Sequence, residues 1–225
     1  CLVERLGVAV PKTVVLPSAM PKPTTRPESH RNMCLTEWNQ IFDYIKFPAF
    51  LKPYDGGGWK HVYKVNSPEE FFHYYHQTAQ LVMVLQEFID FDQYIRCLCV
   101  GKDNIMPIKY DPKQRCYIVD HNHMSQELGE RVIRDARTIN HALGYDMNSV
   151  EFAVRDGIPY AIDFMNPAPD MDYWSITPHY FDWVVDAMSN FVIQVANENR
   201  TMAQHYPWQK LLKGINTPIP TVETK

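Results

Sequence analysis

The most constraining stretch of this sequence is residues 149–164, where apolar and polar residues alternate along two runs separated by Asp156 and Gly157. Val150, Phe152 and Val154 alternate with Ser149, Glu151 and Ala153; beyond the turn, Tyr160, Ile162 and Phe164 alternate with Ala161 and Asp163. A period of two marks strands that bury one face. If the two apolar sets share that face, Glu151 and Asp163 share the other. A three-residue turn through Asp156, Gly157 and Ile158 sets the two carboxylates opposite one another, whereas a two-residue turn sends them to different faces. Facing carboxylates repel and call for a cation, and Asn166 follows with a neutral oxygen, an all-oxygen set that suits Mg²⁺. A solvated face of an antiparallel hairpin would show the same alternation, so the rest of the chain decides between the two.

The 225 residues are 45% hydrophobic and 21% charged, with a formal net charge of -4. That supports a globular core and supplies no basic field for a phosphate backbone, so no nucleic-acid partner is expected. No run approaches the roughly 18 apolar residues of a membrane helix, and no membrane partner is expected. The five cysteines are odd in number and sparse, which reads as reduced thiols in a cytoplasmic protein. Cys97 and Cys99 share a strand face and His121 and His123 are similarly spaced, but structural zinc sites show wider, repeated spacings. Residues 2–7 read as the last turns of an amphipathic helix closed by Gly7, and a preceding segment is expected before Cys1.

Along the chain, residues 8–16 are β-prone around Pro11, and residues 17–31 form an exposed Pro/Ser/Thr loop. Thr36 caps a short helix carrying Trp38, Ile41, Phe42 and Ile45, and residues 47–53 read as an edge strand. Ser67-Pro68-Glu69-Glu70 is a capping box that starts a helix to about Gln80. Strands are expected at 61–65, 81–85, 94–100, 105–110 and 116–119, and helices at 125–143, closed by Gly144, and 173–197. In the last helix Phe181, Val184, Val185, Met188, Val192 and Val195 form a stripe read as core.

Lys52 ends a strand and is followed by Gly56, Gly57 and Gly58, a loop able to bring backbone N–H groups to phosphate oxygens while the lysine neutralises them. It is not a Walker loop, because Lys60 is followed by His61 and no helix opens there. Gln86, Glu87, Phe88 and Ile89 close an apolar strand, where backbone groups could bond a planar base.

Taken in order, these pieces resemble the ATP-grasp superfamily, in particular its carboxylate–amine ligases of the ribosomal-protein glutamate ligase and glutathione synthetase-like branch. Residues 47–58 look like the lysine strand and phosphate-covering loop, 85–89 like the adenine hinge, 94–101 like the following strand, and 150–167 like the metal-binding end. The resemblance implies an α+β fold whose two subdomains, with antiparallel sheets and flanking helices, grip ATP between them. Its parts would be opening strands and a Pro-rich loop (1–31), a lid subdomain (32–88), a C-terminal subdomain with the metal site (89–197) and a tail (198–225).

The same resemblance implies that Lys52 contacts the α- and β-phosphates, the glycines cover them, Gln86 to Ile89 hold adenine, and Asp92 or Gln93 reaches the ribose. Arg96 or Lys109 would face the γ-phosphate or acyl phosphate, and Glu151, Asp163 and Asn166 would hold Mg²⁺, with Mn²⁺ as the alternative. The usual motif ends Glu-x-Asn, whereas here Asp163 and Asn166 are three apart. The expected partners are ATP and small-molecule or peptide acid and amine substrates, with a homo-oligomer compatible. Trp174, His179, Tyr180 and Arg155 are candidates to shape the acceptor site. The expected reaction is ADP-forming C–N ligation through an acyl phosphate; a small-molecule kinase and a non-catalytic nucleotide-binding module are the rival readings.

Overall fold

The computed structural model describes residues 2–30, 36–201 and 208–209. Cys1, Cys34, the start of the expected lid at Asn32 and most of the expected tail lie outside the described residues. The chain divides into two compact units, residues 11–89 and residues 1–10 with 90–225.

The first unit holds strands β1 (Thr13–Val15), β2 (Ala49–Pro53), β3 (Tyr63–Val65) and β4 (Met83–Glu87) in the antiparallel order β1-β4-β2-β3. β2 is therefore interior and not the expected edge strand. Its two prolines are tolerated because Pro48 precedes the strand and Pro53 ends it, so neither removes a central ladder donor. Helices α1 (Trp38–Ile45) and α2 (Pro68–Gln77) bury Trp38, Phe42, Phe71 and Tyr75 against Ala49, Leu51, Met83 and Leu85. α2 starts as its sequence requires: Ser67 Oγ accepts from the Glu70 N–H at 3.3 Å, and Glu70 Oε2 accepts from the Asn66 N–H at 2.8 Å. α1 differs from expectation, since its N-cap is Glu37, which makes no side-chain cap, and Thr36 lies one residue earlier, its carbonyl accepting from the Trp38 N–H at 3.0 Å. β4 begins at Met83; Leu81 and Val82 of the expected buried run are exposed.

The second unit holds β5 (Gln93–Val100), β6 (Asn104–Asp111), β7 (Cys116–Ile118), β8 (Met147–Arg155) and β9 (Ile158–Asn166) in the order β7-β6-β5-β8-β9, all antiparallel. Helix α3 (Gln126–Leu143) lays Leu128, Val132, Ala136 and Ile139 on one face of this sheet, against Ile95, Cys97, Val150, Phe152 and Ala161. Each fully buried large side chain there contributes about 1.5–3 kcal/mol. α3 is capped by Ser125 Oγ, which accepts from the Leu128 N–H at 3.2 Å, and it ends at Gly144.

Helix α4 (Thr177–Asn197) covers part of the other face, where Ile176, Tyr180 and Val184 meet Leu98, Ile108 and Tyr117. Here the expected stripe fails: Val185 and Val192 are exposed. The helix is anchored by its first turns and again where Phe191 lies against Gly101, whose added Cβ would come within 2.7 Å of that ring.

The alternation of residues 149–164 is realised by a different turn from the one expected. Arg155 pairs with Ile158 across a two-residue Asp156-Gly157 turn with φ of 53° and 71°, the left-handed pair of a type I′ hairpin. The register then slips by one residue between Phe152↔Ala161 and Glu151↔Asp163. Ile162 is the extra residue of a β-bulge, which reverses the parity of β9 from there on. Consequently Ala161, and not Tyr160, lies with Phe152 in the core, while Asp163 lands opposite Glu151.

Candidate functional site

The face of the five-stranded sheet opposite α3 carries Tyr94 and Arg96 from β5, Ser149 and Glu151 from β8, and Asp163 from β9, because Arg96 pairs with Glu151 and Glu151 with Asp163. A second slip follows: Ser149 pairs with Asn166, one position beyond an unbroken ladder. The extra residue absorbs the three-residue spacing of Asp163 and Asn166. Asn166 thus stands one pairing step from Asp163, where the second residue of a Glu-x-Asn motif would stand in a regular strand.

Glu151 is tightly held. Arg96 Nη2 lies 2.9 Å from its Oε1, the Tyr94 hydroxyl donates to its Oε2, and Arg96 Nε donates to Ser149 Oγ at 3.2 Å. The guanidinium sits 5.0 Å and 5.7 Å from the ring centroids of Tyr110 and Tyr117, a cation–π setting. Burial and the Glu151 charge push the Tyr94 hydroxyl well above the ordinary tyrosine range. Burial pulls the Arg96 pKa down, but Glu151 and the surrounding tyrosines outweigh it and leave it raised. Burial raises Tyr117 to about 12. Asp163, by contrast, is exposed.

The donors available here, two carboxylates and an amide oxygen, are all hard oxygens and fit Mg²⁺, which takes one or two protein carboxylates and fills its remaining positions with water and phosphate oxygens. They do not suit a softer ion, and among the described residues no group of three or more His, Cys, Asp or Glu could hold a metal. Cys97 and Cys99 are buried against α3, so the zinc reading finds no site.

Lys109 is not brought to this face. It pairs with Ile95 on the α3 side of the sheet and bonds Asp120 at 2.9 Å, which holds the Asp120 carboxyl below its usual range. Lys109 and Arg96 therefore cannot both be aimed at one phosphate from the same sheet face. Gln93, paired with Val154, falls on the Lys109 side, while Asp92 is exposed and donates its N–H to Val154 O at 2.8 Å. An open cavity of about 580 Å³ is lined by Phe91, Gln93, Tyr94, Lys109, Tyr110 and Asp120, among others.

In the other unit, Lys52 pairs with Val84 and so points away from the Leu51–Leu85 core, on the face shared by Phe50, Lys64 and Gln86. Lys64 Nζ lies 3.6 Å from the Phe88 ring centroid. The Gly56–Gly58 segment leads into a turn in which Gly58, Trp59 and His61 have positive φ. At the expected hinge, Gln86 Nε2 donates to Thr13 Oγ1 at 3.2 Å. The N–H of Glu87 donates to Lys12 O at 2.8 Å and that of Phe88 to Pro48 O at 3.3 Å, so these two donors already serve the sheet. Ile89 is buried. Tyr94, Ser149, Tyr110, Tyr117 and Lys64 were not expected from sequence as site residues, although the alternation of β5 alone puts Tyr94 on the face of Arg96.

No family model and no curated protein sequence matches the chain. Solved structures do. D-alanine–D-alanine ligase from Bacillus anthracis, crystallised with ATP, superposes with a TM-score of 0.65 at 19% identity, covering 89% of this chain and 64% of that one. A RimK domain ATP-grasp protein from Sphaerobacter thermophilus gives 0.56 at 18% identity, over 85% of this chain and 64% of that one. The ATP-grasp ligase PsnB, solved with a minimal precursor, Mg and ADP, gives 0.54 at 15%, over 88% and 57%. The chain thus spans 57–64% of the length of these proteins. It has the α+β ATP-grasp fold.

Proposed function

We propose that this chain binds Mg·ATP and acts as a carboxylate–amine ligase, activating an acid as its acyl phosphate before an amine is joined. One observation carries the reading: the slipped register of β8 and β9 brings Glu151, Asp163 and Asn166 together beside Arg96, a hard-oxygen set next to a fixed guanidinium. Glu151, Asp163 and Asn166 would hold Mg²⁺, which supplies neutralisation of phosphate charge as a Lewis acid. Arg96 orients and neutralises the γ-phosphoryl group while the substrate carboxylate attacks it, and Lys52 neutralises the remaining phosphates. The glycine loop covers the phosphates and keeps water from the acyl phosphate. The hinge from Gln86 to Ile89 receives the base, and Asp92 the ribose.

Hydroxylamine added during turnover with Mg·ATP and a panel of acids is expected to trap the hydroxamate of the accepted acid, with Asp163→Asn slowing its formation by about a hundredfold. ATP bound without hydroxamate or acceptor-dependent ADP release would replace the ligase with a binding module. A stable phosphorylated product would replace it with a kinase.

A further inference from the structure

Among the described residues of the second unit, Arg96 and Glu151 form an ion pair between neighbouring strands whose side chains are only 23% and 17% exposed and are joined at 2.9 Å. Each oxygen of the Glu151 carboxylate has its own partner, Arg96 on Oε1 and the Tyr94 hydroxyl on Oε2. Asp163, directly opposite in the ladder, is exposed. The site therefore already holds a cation, supplied by the protein and lying beside the rings of Tyr110 and Tyr117.

We propose that Arg96 is the resident counter-ion of Glu151 and is exchanged for the divalent cation, with Tyr94 as the positioning residue that keeps the carboxylate in place during the exchange. The inference rests on the metal-site reading given above. A guanidinium in contact with one carboxylate oxygen opposes a second cation on the same group, since like charges a few ångströms apart in a half-buried site repel strongly. A neutral hydroxyl on the other oxygen imposes no such opposition, and it fixes the carboxylate rotamer. Metal binding then loosens Arg96 from Glu151 while its aromatic neighbours hold the head group at the site, so that the freed guanidinium meets phosphate oxygens. Metal and nucleotide would consequently bind together better than either alone.

The test uses Mn²⁺ alone as the probe, its binding to the nucleotide-free full chain followed by the loss of the free-ion paramagnetic resonance signal. Arg96→Met is expected to bind Mn²⁺ about tenfold tighter than the unmodified chain. Arg96→Lys, which keeps the cation, should stay within about threefold, and Tyr94→Phe should bind several-fold more weakly. A merely structural arginine predicts the reverse order, with Arg96→Met the weakest. Should Arg96→Met be unstable because Glu151 is left uncompensated, the melting temperature supplies the second readout: Mn²⁺ should raise it more in that variant than in the unmodified chain. Asp163→Asn separates the two readings. If it lowers Mn²⁺ affinity and Arg96→Met does not raise it, counter-ion exchange is wrong and the metal site stands; if it leaves Mn²⁺ affinity unchanged, both fall.

Discussion

Asn148 holds the backbone of Asn166: its Oδ1 accepts from the Asn166 N–H at 3.0 Å, while its Nδ2 donates to Phe164 O and to Asn140 Oδ1, both at 2.9 Å. These contacts flank Met165, the exposed residue at the second slip of β9. A bulge leaves backbone groups without ladder partners, and here a fully buried amide supplies them. The position of a candidate metal ligand thus depends on a side chain on the opposite face of the sheet.

Replacing Asn148 with alanine is therefore expected to cost about 2–4 kcal/mol, because it strands Asn140 Oδ1 and the two backbone groups of the bulge. It should also weaken Mn²⁺ binding several-fold through a loosened Asn166. Chemical denaturation and metal titration of the same variant check the two effects. A loss of stability with unchanged metal affinity would detach Asn166 from the site.

Lys52→Ala is expected to leave the fold within about 1 kcal/mol of its original stability, since Lys52 sits on the sheet face away from the Leu51–Leu85 core. It should weaken Mg·ATP binding about ten- to a hundredfold, as removal of a phosphate counter-charge does. Calorimetric titration of the folded variant decides, and unchanged affinity would remove Lys52 from the nucleotide's surroundings.

Much of this arrangement was legible because alternation is a local property. Val150, Phe152 and Val154 mark the buried face of β8 without any knowledge of what packs there, and Glu151 falls on the other face as a consequence. The conclusion that Asp163 opposes Glu151 was right, but through a compensation: a two-residue turn plus a bulge at Ile162 has the same parity as the expected three-residue turn without one. Tyr160 was consequently misplaced into the core. Sequence could not show that slip, because nothing in Ala161-Ile162-Asp163 distinguishes a bulged strand from a regular one. Lys109 illustrates the second limit, since its face depends on pairing with Ile95, a relation between strands. The third is α4, where Tyr180 and Val184 are buried but Val185 and Val192 of the same apolar stripe are exposed, a difference that periodicity alone does not carry.

Gly157→Ala is expected to destabilise the chain by about 1–2 kcal/mol. Its φ of 71° follows Asp156 at 53°, and an added Cβ meets nothing within 4 Å, so the cost is conformational strain alone. Asn at the same position should restore most of the loss, because it tolerates the left-handed region. Thermal unfolding of the two variants measures this, and equal losses for alanine and asparagine would point to packing instead.

The buried tyrosines give the protein an alkaline limit with a definite sign. In the unfolded chain Tyr94 ionises near pH 10, whereas in the fold burial and the Glu151 charge hold it protonated well above that value. Above about pH 10 the folded state therefore binds more protons than the unfolded state, and stability falls as pH rises, by up to about 1.4 kcal/mol per pH unit for each such group. Tyr117, raised by burial to about 12, adds to the same slope. Below pH 10 neither group contributes any pH dependence, because both are protonated in both states. Tyr94→Phe should accordingly start from a lower stability, having lost its hydrogen bond to Glu151, yet decline less steeply between about pH 10 and pH 11.5. Denaturation midpoints of the two proteins across that interval make the comparison, and parallel declines would mean that Tyr94 ionises freely and is not enclosed with Glu151 in solution.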